Sequence, residues 1–500
     1  MMIETNTSNS HKAILKATGI FGMMQVLKMI ISIIGNKFVA VFLGPIGIGT
    51  VGLLTNVLNI ISSVTSFGIA TVSVREIAAA NADSNPVKIS ETISVLQKMA
   101  LCVGLFGAII TVVFSKLLSQ ITFGNTNHFY WFVILSVNFV ITSYANIHAS
   151  ILQGKNKLKA IAISNVISSL MISFCTVVLY YFLKFDGIIW VILSSSTITL
   201  LINLYFTRNF KTKIHFDFND FVSKAKPIFQ LGFLLSINVI FGQICTYIIK
   251  IYLNNNGAST QILGFYEVST VILISYVGMI FNAMSIDFYP RLTSISQDKS
   301  KVNELVNSQL EIALLLITPA IVLLYLTAPL FIRLLYTKEF LPTVLILKAA
   351  LFAIIIKAIV WPLAFIILAK GNKKQYFKQE LVGDFLNVSL TLFFYHFLGL
   401  VGIGFAMVLN YAAYGFYVFY IVKREYEFGY TKECFLIMVF SVFIGLIACC
   451  IVFFIDGFYS KLVLGLLLFI SLIFSYYQID KRVGVTVFIS SIFDRFRNND

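Results

Sequence analysis

The sequence predicts an all-α polytopic membrane protein of about 14 transmembrane helices, built as two repeated six-helix lobes plus two C-terminal helices. Three observations carry this expectation. The 500-residue chain is 58% hydrophobic and only 12% charged, whereas a soluble domain carries about 25% charged residues. Apolar stretches of membrane-spanning length, about 20 residues, recur from end to end. From the middle of the chain onward, short motifs of the first half return at a nearly fixed offset.

Fourteen apolar segments fall at approximately 14–43, 46–73, 99–118, 129–152, 160–183, 187–206, 227–254, 262–289, 304–331, 343–369, 378–397, 401–422, 434–455 and 461–479. Helices are expected because open strand edges are not viable in lipid. Gly44-Pro45 is expected to form the tight turn between the first two segments, and Pro319 and Pro362 lie inside later ones. The first segment is too long for a signal peptide and reads as a membrane helix.

The net charge is +15. Most of the basic residues sit in short loops on one side, among them Lys155, Lys157, Lys159, Arg208, Lys211, Arg291, Lys370, Lys373, Lys423 and Arg424. The other side offers Lys116, Lys184, Arg333, Lys338 and Lys461. This asymmetry predicts an even helix count with both termini in the cytoplasm. No basic stripe with base-stacking aromatics is present, so nucleic-acid binding is not expected.

The repeat rests on four matched points. Ile151 to Lys157 (Ile-Leu-Gln-Gly-Lys-Asn-Lys) returns as Ile367 to Lys373 (Ile-Leu-Ala-Lys-Gly-Asn-Lys). Tyr180 to Ile188 (Tyr-Tyr-Phe-Leu-Lys-Phe-Asp-Gly-Ile) returns as Tyr395 to Ile403 (Tyr-His-Phe-Leu-Gly-Leu-Val-Gly-Ile). Lys37 falls near Lys250, and Arg75 near Arg291, at about the same offset. Parallel repeats with a site between them are a transporter feature. The expected organisation is a first lobe over 1–213, a cytoplasmic linker at 214–226, a second lobe over 227–425, and two added helices with a tail over 426–500. The linker, with Phe216, Phe218 and Phe221, and the tail around Ile489–Arg497 are candidate surface-lying amphipathic segments, the linker equally a plain connector.

Charges inside apolar segments are the candidate functional residues, since each costs about 2.5–3.5 kcal/mol at the bilayer centre. They are Lys28, Lys37, Lys250, Lys348 and Lys357, with Glu267, Asp287, Glu380 and Asp384. A cationic cavity implies an anionic passenger. Lys28 and Lys357 lie mid-segment; Lys37, Lys250 and Lys348 lie nearer an interface, within snorkelling reach. Glu267 and Glu380 read either as counterions or as a protonatable coupling site. Asp287 and Asp384, near helix ends, read as solvated. Lys28 and Lys37 are nine residues apart, as are Lys348 and Lys357, so each pair should point to opposite helix faces. One lysine of each pair is then expected to line a given cavity.

No catalytic, cofactor or metal signature emerges. The sequence has no G-x-S-x-G and no P-loop, and its five His are scattered. Cys102, Cys175, Cys245, Cys434, Cys449 and Cys450 form no C-x-x-C and read as packing residues. A non-enzyme is expected.

Gly35 to Gly49 (Gly-Asn-Lys-Phe-Val-Ala-Val-Phe-Leu-Gly-Pro-Ile-Gly-Ile-Gly), Phe288-Tyr289-Pro290-Arg291-Leu292 and Glu380-Leu381-Val382-Gly383-Asp384 resemble the Wzx-type O-antigen and polysaccharide flippases over about 12–425. These form the oligosaccharidyl-lipid branch of the multidrug/oligosaccharidyl-lipid/polysaccharide exporter superfamily. The resemblance implies two six-helix lobes around a central cavity in the bacterial inner membrane. It implies an undecaprenyl-pyrophosphate-linked oligosaccharide, an O-antigen or similar repeat unit of lipopolysaccharide synthesis, moved from the cytoplasmic to the periplasmic leaflet by alternating access. A proton or sodium ion is a possible coupling partner, and a polysaccharide polymerase with its assembly proteins a possible protein partner. The pyrophosphate would meet Lys28, Lys37, Lys250 and Lys357. The alternatives are a drug/cation antiporter of the same superfamily, which calls for acids in the cavity, and a membrane polysaccharide polymerase or ligase, which calls for a large periplasmic loop.

Overall fold

The computed structural model describes residues 2–82, 85–210, 218–256 and 260–483. The tail segment around 489–497 and positions 214–217 of the expected linker lie outside the described residues; the rest of that linker, 218–226, is not a loop but the start of a long helix. Among those described, regular structure is helical throughout, with no strand.

The helices run in chain order as α1 (Met2–Ser66), α2 (Ile69–Ala82), α3 (Pro86–Val113), α4 (Ser115–Phe123), α5 (Phe129–Leu135), α6 (Val137–Gly154), α7 (Leu158–Leu183), α8 (Gly187–Thr207) and α9 (Phe218–Asn256). Then follow α10 (Gln261–Thr270), a π-helical stretch over Val271–Val277, α11 (Gly278–Ser294), α12 (Lys299–Leu335), α13 (Thr343–Ala369), α14 (Lys373–Tyr426), α15 (Lys432–Phe454) and α16 (Phe458–Val483).

Among the described residues, eleven helical runs are long and apolar enough to cross a membrane. Three of them divide internally. The run at 27–66 breaks at Gly44, that at 158–207 at Lys184–Asp186, and that at 373–426 at Gly399. Fourteen membrane-length segments result, as the hydropathy pattern predicts. Apolar side chains cover the outer surface, with Phe174, Phe416 and Phe454 largely exposed, which suits a lipid solvent.

The breaks are reversals. A Cβ on Gly187 would lie 3.1 Å from the carbonyl oxygen of Leu179. Eight residues of straight helix would put them about 12 Å apart. Gly402 makes the same close approach to the carbonyl of Phe394. At the first break, Gly44 adopts φ 61° and ψ −168°, the turn expected at Gly44-Pro45.

The stretch 74–98, which separates the second and third apolar segments, is mostly helix. Ile69, Val72 and Ile77 of α2 pack against Ile93, Leu96 and Met99 of α3. Asn85 caps α3, its side chain accepting from the backbone N–H of Val87 and Lys88, with Pro86 in the first turn. The polar residues that read as a loop are the exposed faces of these two helices.

The sequence repeat has a backbone counterpart. Helix α6 ends at Gly154 and α13 at Ala369; α7 starts at Leu158 and α14 at Lys373. Asn156 (φ 53°) and Gly371 (φ 71°) are the left-handed residues past the two helix ends. Lys184 (φ 48°, ψ −124°) and Gly399 (φ 57°, ψ −137°) make the two hairpin turns. Each pair is separated by 215 positions, as is Gly187 from Gly402. The motif alignment set Asn156 against Asn372, one residue out; the backbone sets it against Gly371. Asn and Gly are the residues that tolerate the left-handed position, so either serves there.

Compactness divides the chain into two units, Met1–Gly264 with Leu335–Thr337, and Phe265–Leu334 with Lys338–Asp500. In the first unit α1 packs on α7, and α9 packs on α1, α2 and α3. In the second, α13 packs along both halves of α14 and against α11 and α15.

Candidate functional site

Helix α13 is the most enclosed of the described spans, with 61% of its membrane-length window buried. Its neighbours approach closely through small residues. A Cβ at Gly404 would strike the carbonyl of Ile346, at Gly415 the side chain of Val360, and at Gly445 that of Ile355. Close approach through small residues is the usual basis of helix packing in lipid.

Lys357 stands in the middle of this helix, half-buried. Its Nζ lies 5.3 Å from the ring centroid of Phe281 on α11 and 5.7 Å from that of Tyr411 on α14. Among the described residues no carboxylate approaches it within 4.0 Å. The ammonium is held by ring faces, an attraction of about 0.5–2 kcal/mol, and lacks a counterion.

The lysine opens on a cavity of ≈ 320 Å³ between α13 and α14. One wall is Lys357, Trp361 and Phe365, spaced four residues apart along one face of α13. The facing wall is Tyr376, Gln379 and Glu380 from the first half of α14, with Tyr411 and Tyr414 from the second. Phe288, 1% exposed, backs the aromatic wall, its ring 5.6 Å from Trp361 and 5.8 Å from Phe365. Gln379 is 0% exposed, and neither its Nε2 nor its Oε1 has a hydrogen-bond partner within 3.5 Å.

Lys348 lies elsewhere. It lines a second cavity of ≈ 180 Å³ among α12, α13, α15 and α16, with Asp456 and Lys461. Its Nζ is 5.5 Å from the Phe453 ring. The nine-residue separation thus puts Lys348 and Lys357 on opposite faces of α13, in different cavities.

The other sequence candidates are spread over the chain. Lys37 of α1 donates to the backbone carbonyl of Tyr336. Lys250 of α9 is 7% exposed and donates to the carbonyl of Gly52 at 3.1 Å. Lys28 is exposed on α1. Glu267 is half-buried on α10, one turn before the π-helical stretch. Asp287 pairs with Arg291 at 3.0 Å on an exposed face at the end of α11. Asp384 lies one turn beyond Glu380 on α14, half-buried. Of the seven candidate cavity and counterion residues, the structure brings Lys357 and Glu380 onto one cavity.

Reading charges alone misses most of this site. Trp361, Phe365, Gln379, Tyr411 and Tyr414 carry no charge, so the placement of charges in apolar segments does not single them out. Their spacing was legible: positions 357, 361 and 365 form one helical stripe, as do 376, 379 and 380. Nothing in the sequence marks the π-helical stretch at Val271–Val277, a distortion often found at functional sites.

Comparison with known proteins adds the following. A family model described as polysaccharide biosynthesis protein matches residues 38–345. No curated protein sequence matches. Among solved structures, the lipid II flippase MurJ in an inward closed conformation superposes with a TM-score of 0.63 at 16% identity, over 93% of this chain and 99% of that one. An inward-facing multidrug resistance MATE family transporter of the MOP superfamily gives a TM-score of 0.66 at 14% identity, over 80% and 94%. A MOP superfamily transporter from Pyrococcus furiosus, whose title speaks of a reversed polarity of the binding pocket, gives 0.58 at 15% identity, over 83% and 96%. At these identities the likeness is one of fold.

Proposed function

The chain belongs to the polysaccharide biosynthesis protein family, has the fold of MurJ and of the MATE transporters, and is a multi-pass membrane protein; from this premise we propose that it flips a lipid-linked oligosaccharide across the membrane. The passenger is an undecaprenyl-pyrophosphate-linked repeat unit moving from the cytoplasmic to the periplasmic leaflet of a bacterial inner membrane, with both termini of the chain in the cytoplasm. The repeated lobes, 1–213 and 227–425, alternate access while the lipid tail stays in the bilayer. The chain transports and does not transform its passenger.

One observation supports this reading above the others. An ammonium group with no counterion among the described residues stands mid-span in the most enclosed of the described spans and lines a cavity. Such a charge is costly in place, and a phosphate as point-charge partner relieves that cost. Lys357 is therefore assigned to the pyrophosphate. Lys348, in its separate cavity, is not part of that contact.

The test is reconstitution of the purified chain in vesicles with a defined undecaprenyl-pyrophosphate saccharide, following leaflet accessibility with and without an ion gradient. Lys357→Ala is expected to abolish flipping while the folded protein persists. Wild-type rates in that variant would sink the assignment. Glu380 on the same cavity favours a second reading, a cation antiporter of the same superfamily. That reading predicts that Glu380→Gln abolishes transport of a lipophilic cation and that Lys357→Ala does not.

A further inference from the structure

We propose that the Lys357 cavity is a saccharide subsite. A pyranose ring lies against the Trp361–Phe365 wall, its polar groups on Gln379 and Glu380, beside the phosphate position at Lys357. This rests on the flippase reading and names the part of the passenger that the cavity takes.

Gln379 is the first ground. Its side chain is fully buried and lines the cavity; its N–H leans toward the neighbouring Glu380 carboxyl beyond ordinary hydrogen-bond length, and neither amide atom has a partner within 3.5 Å. Leaving such groups without a good partner is costly, and a buried polar group so placed in a native fold needs an explanation. A ligand that both donates and accepts removes the cost. Hydroxyl and acetamido groups do both; an ionised phosphate only accepts, and an alkyl tail does neither.

Charge and shape agree with that choice. Glu380 stands next to Gln379 on the wall facing Lys357. A carboxylate repels a phosphate and accepts from sugar hydroxyls, so the cavity is anion-seeking at Lys357 and polyol-seeking at Gln379–Glu380. Trp361 and Phe365 give a flat apolar surface that suits the C–H face of a pyranose. At ≈ 320 Å³ the space is at the lower limit of small-ligand cavities, about 300–1,000 Å³. That is room for one or two rings, not for a whole repeat unit.

The internal repeat supplies a control. The positions 215 residues before Trp361, Phe365, Tyr376 and Gln379 are Asn146, Ser150, Ile161 and Ser164. The first copy builds the corresponding helices without a single aromatic at these places. Helix packing in this fold therefore does not require the wall; the second copy carries it for another purpose.

The experiment uses the full chain in nanodiscs, titrated separately with methyl glucopyranoside, methyl N-acetylglucosaminide and inorganic pyrophosphate, read by calorimetry and by thermal midpoint. At least one pyranoside is expected to bind saturably to the wild type. Gln379→Leu should weaken that binding tenfold or more while its own unliganded midpoint is unchanged or higher, because the orphaned amide is gone. Trp361→Phe should retain binding and Trp361→Leu lose it. Lys357→Ala should keep the pyranoside response and lose that to pyrophosphate. Saturable binding by no pyranoside, or equal binding by wild type and Gln379→Leu, overturns the subsite. If pyrophosphate still binds through Lys357 in that case, the anion reading survives alone; pyranoside binding without pyrophosphate binding supports the subsite and sinks the anion reading.

Discussion

Lys357 Nζ lies over the ring of Tyr411, 5.7 Å from its centroid, and the residues 215 positions earlier, Thr142 and Ser196, face each other in the same way through a 3.4 Å hydroxyl–hydroxyl bond. The two halves of the chain thus build one helix contact twice and fill it differently. In the first copy it is a small polar pair that a helix pair tolerates. In the second it is a cation and an aromatic ring beside a cavity. The cation is an addition to the fold, which is why it is the residue assigned to transport.

Exchange of the two α13 lysines separates that assignment from a general need for charge. Lys357→Ala is expected to lower flipping at least tenfold and Lys348→Ala to leave it within about twofold, since the two side chains occupy different cavities. Lys357→Arg should rescue poorly, because a planar guanidinium replaces a compact point charge. Vesicle leaflet-accessibility assays read all three.

The two hairpin turns make a matched stability test. Lys184 holds φ 48° and ψ −124°, a turn conformation that glycine adopts without strain, and its counterpart 215 positions on is Gly399. Lys184→Gly is expected to raise thermal stability, by up to about 1 kcal/mol, and Gly399→Lys to lower it by a similar or larger amount. A lower midpoint for Lys184→Gly would contradict the turn assignment.

Arg482, in the last turn of α16, anchors the added helices. Its Nε donates to Glu311 of α12 at 2.7 Å, with side-chain exposures of 19% and 10%. It also donates to the backbone and side chain of Gln478. Arg482→Ala leaves the Glu311 carboxylate buried without that partner and is expected to destabilise by about 3–5 kcal/mol. Replacing both residues with Leu should recover most of the loss, as paired removal of a buried ion pair does. Chemical denaturation in detergent micelles measures both.

Acid should loosen one loop selectively. The hydrogen bond and charge of Lys299, 2.6 Å away, hold the Glu427 carboxyl below the usual carboxylate range. A depressed carboxyl stabilises above its unfolded pKa and loses that contribution as pH falls through the folded value. Both side chains are exposed, so the effect is small. Amide protection at Phe428–Thr431, measured against the intrinsic exchange rate at each pH, is expected to fall modestly as pH drops through the lowered Glu427 value and to lose that pH response in Lys299→Ala. The bonds from Asn303 and Asn307 to the same loop do not titrate and should keep it docked.

What the sequence determined by itself was set by period and by solvent. Fourteen apolar segments, their helical state, the Gly44-Pro45 turn and the repeat offset all follow from local composition, because lipid leaves the backbone no alternative to helix. The opposite facing of Lys348 and Lys357 follows from 3.6 residues per turn. Tertiary structure alone decided which charges share a cavity. Lys37 and Lys250, alike in sequence to Lys357, are hydrogen-bonded to the carbonyls of Tyr336 and Gly52. Gln379, a neutral residue in the sequence, is buried with neither amide atom within 3.5 Å of a partner. A charge or an amide is visible along the chain, but what it meets is set by helices hundreds of residues away.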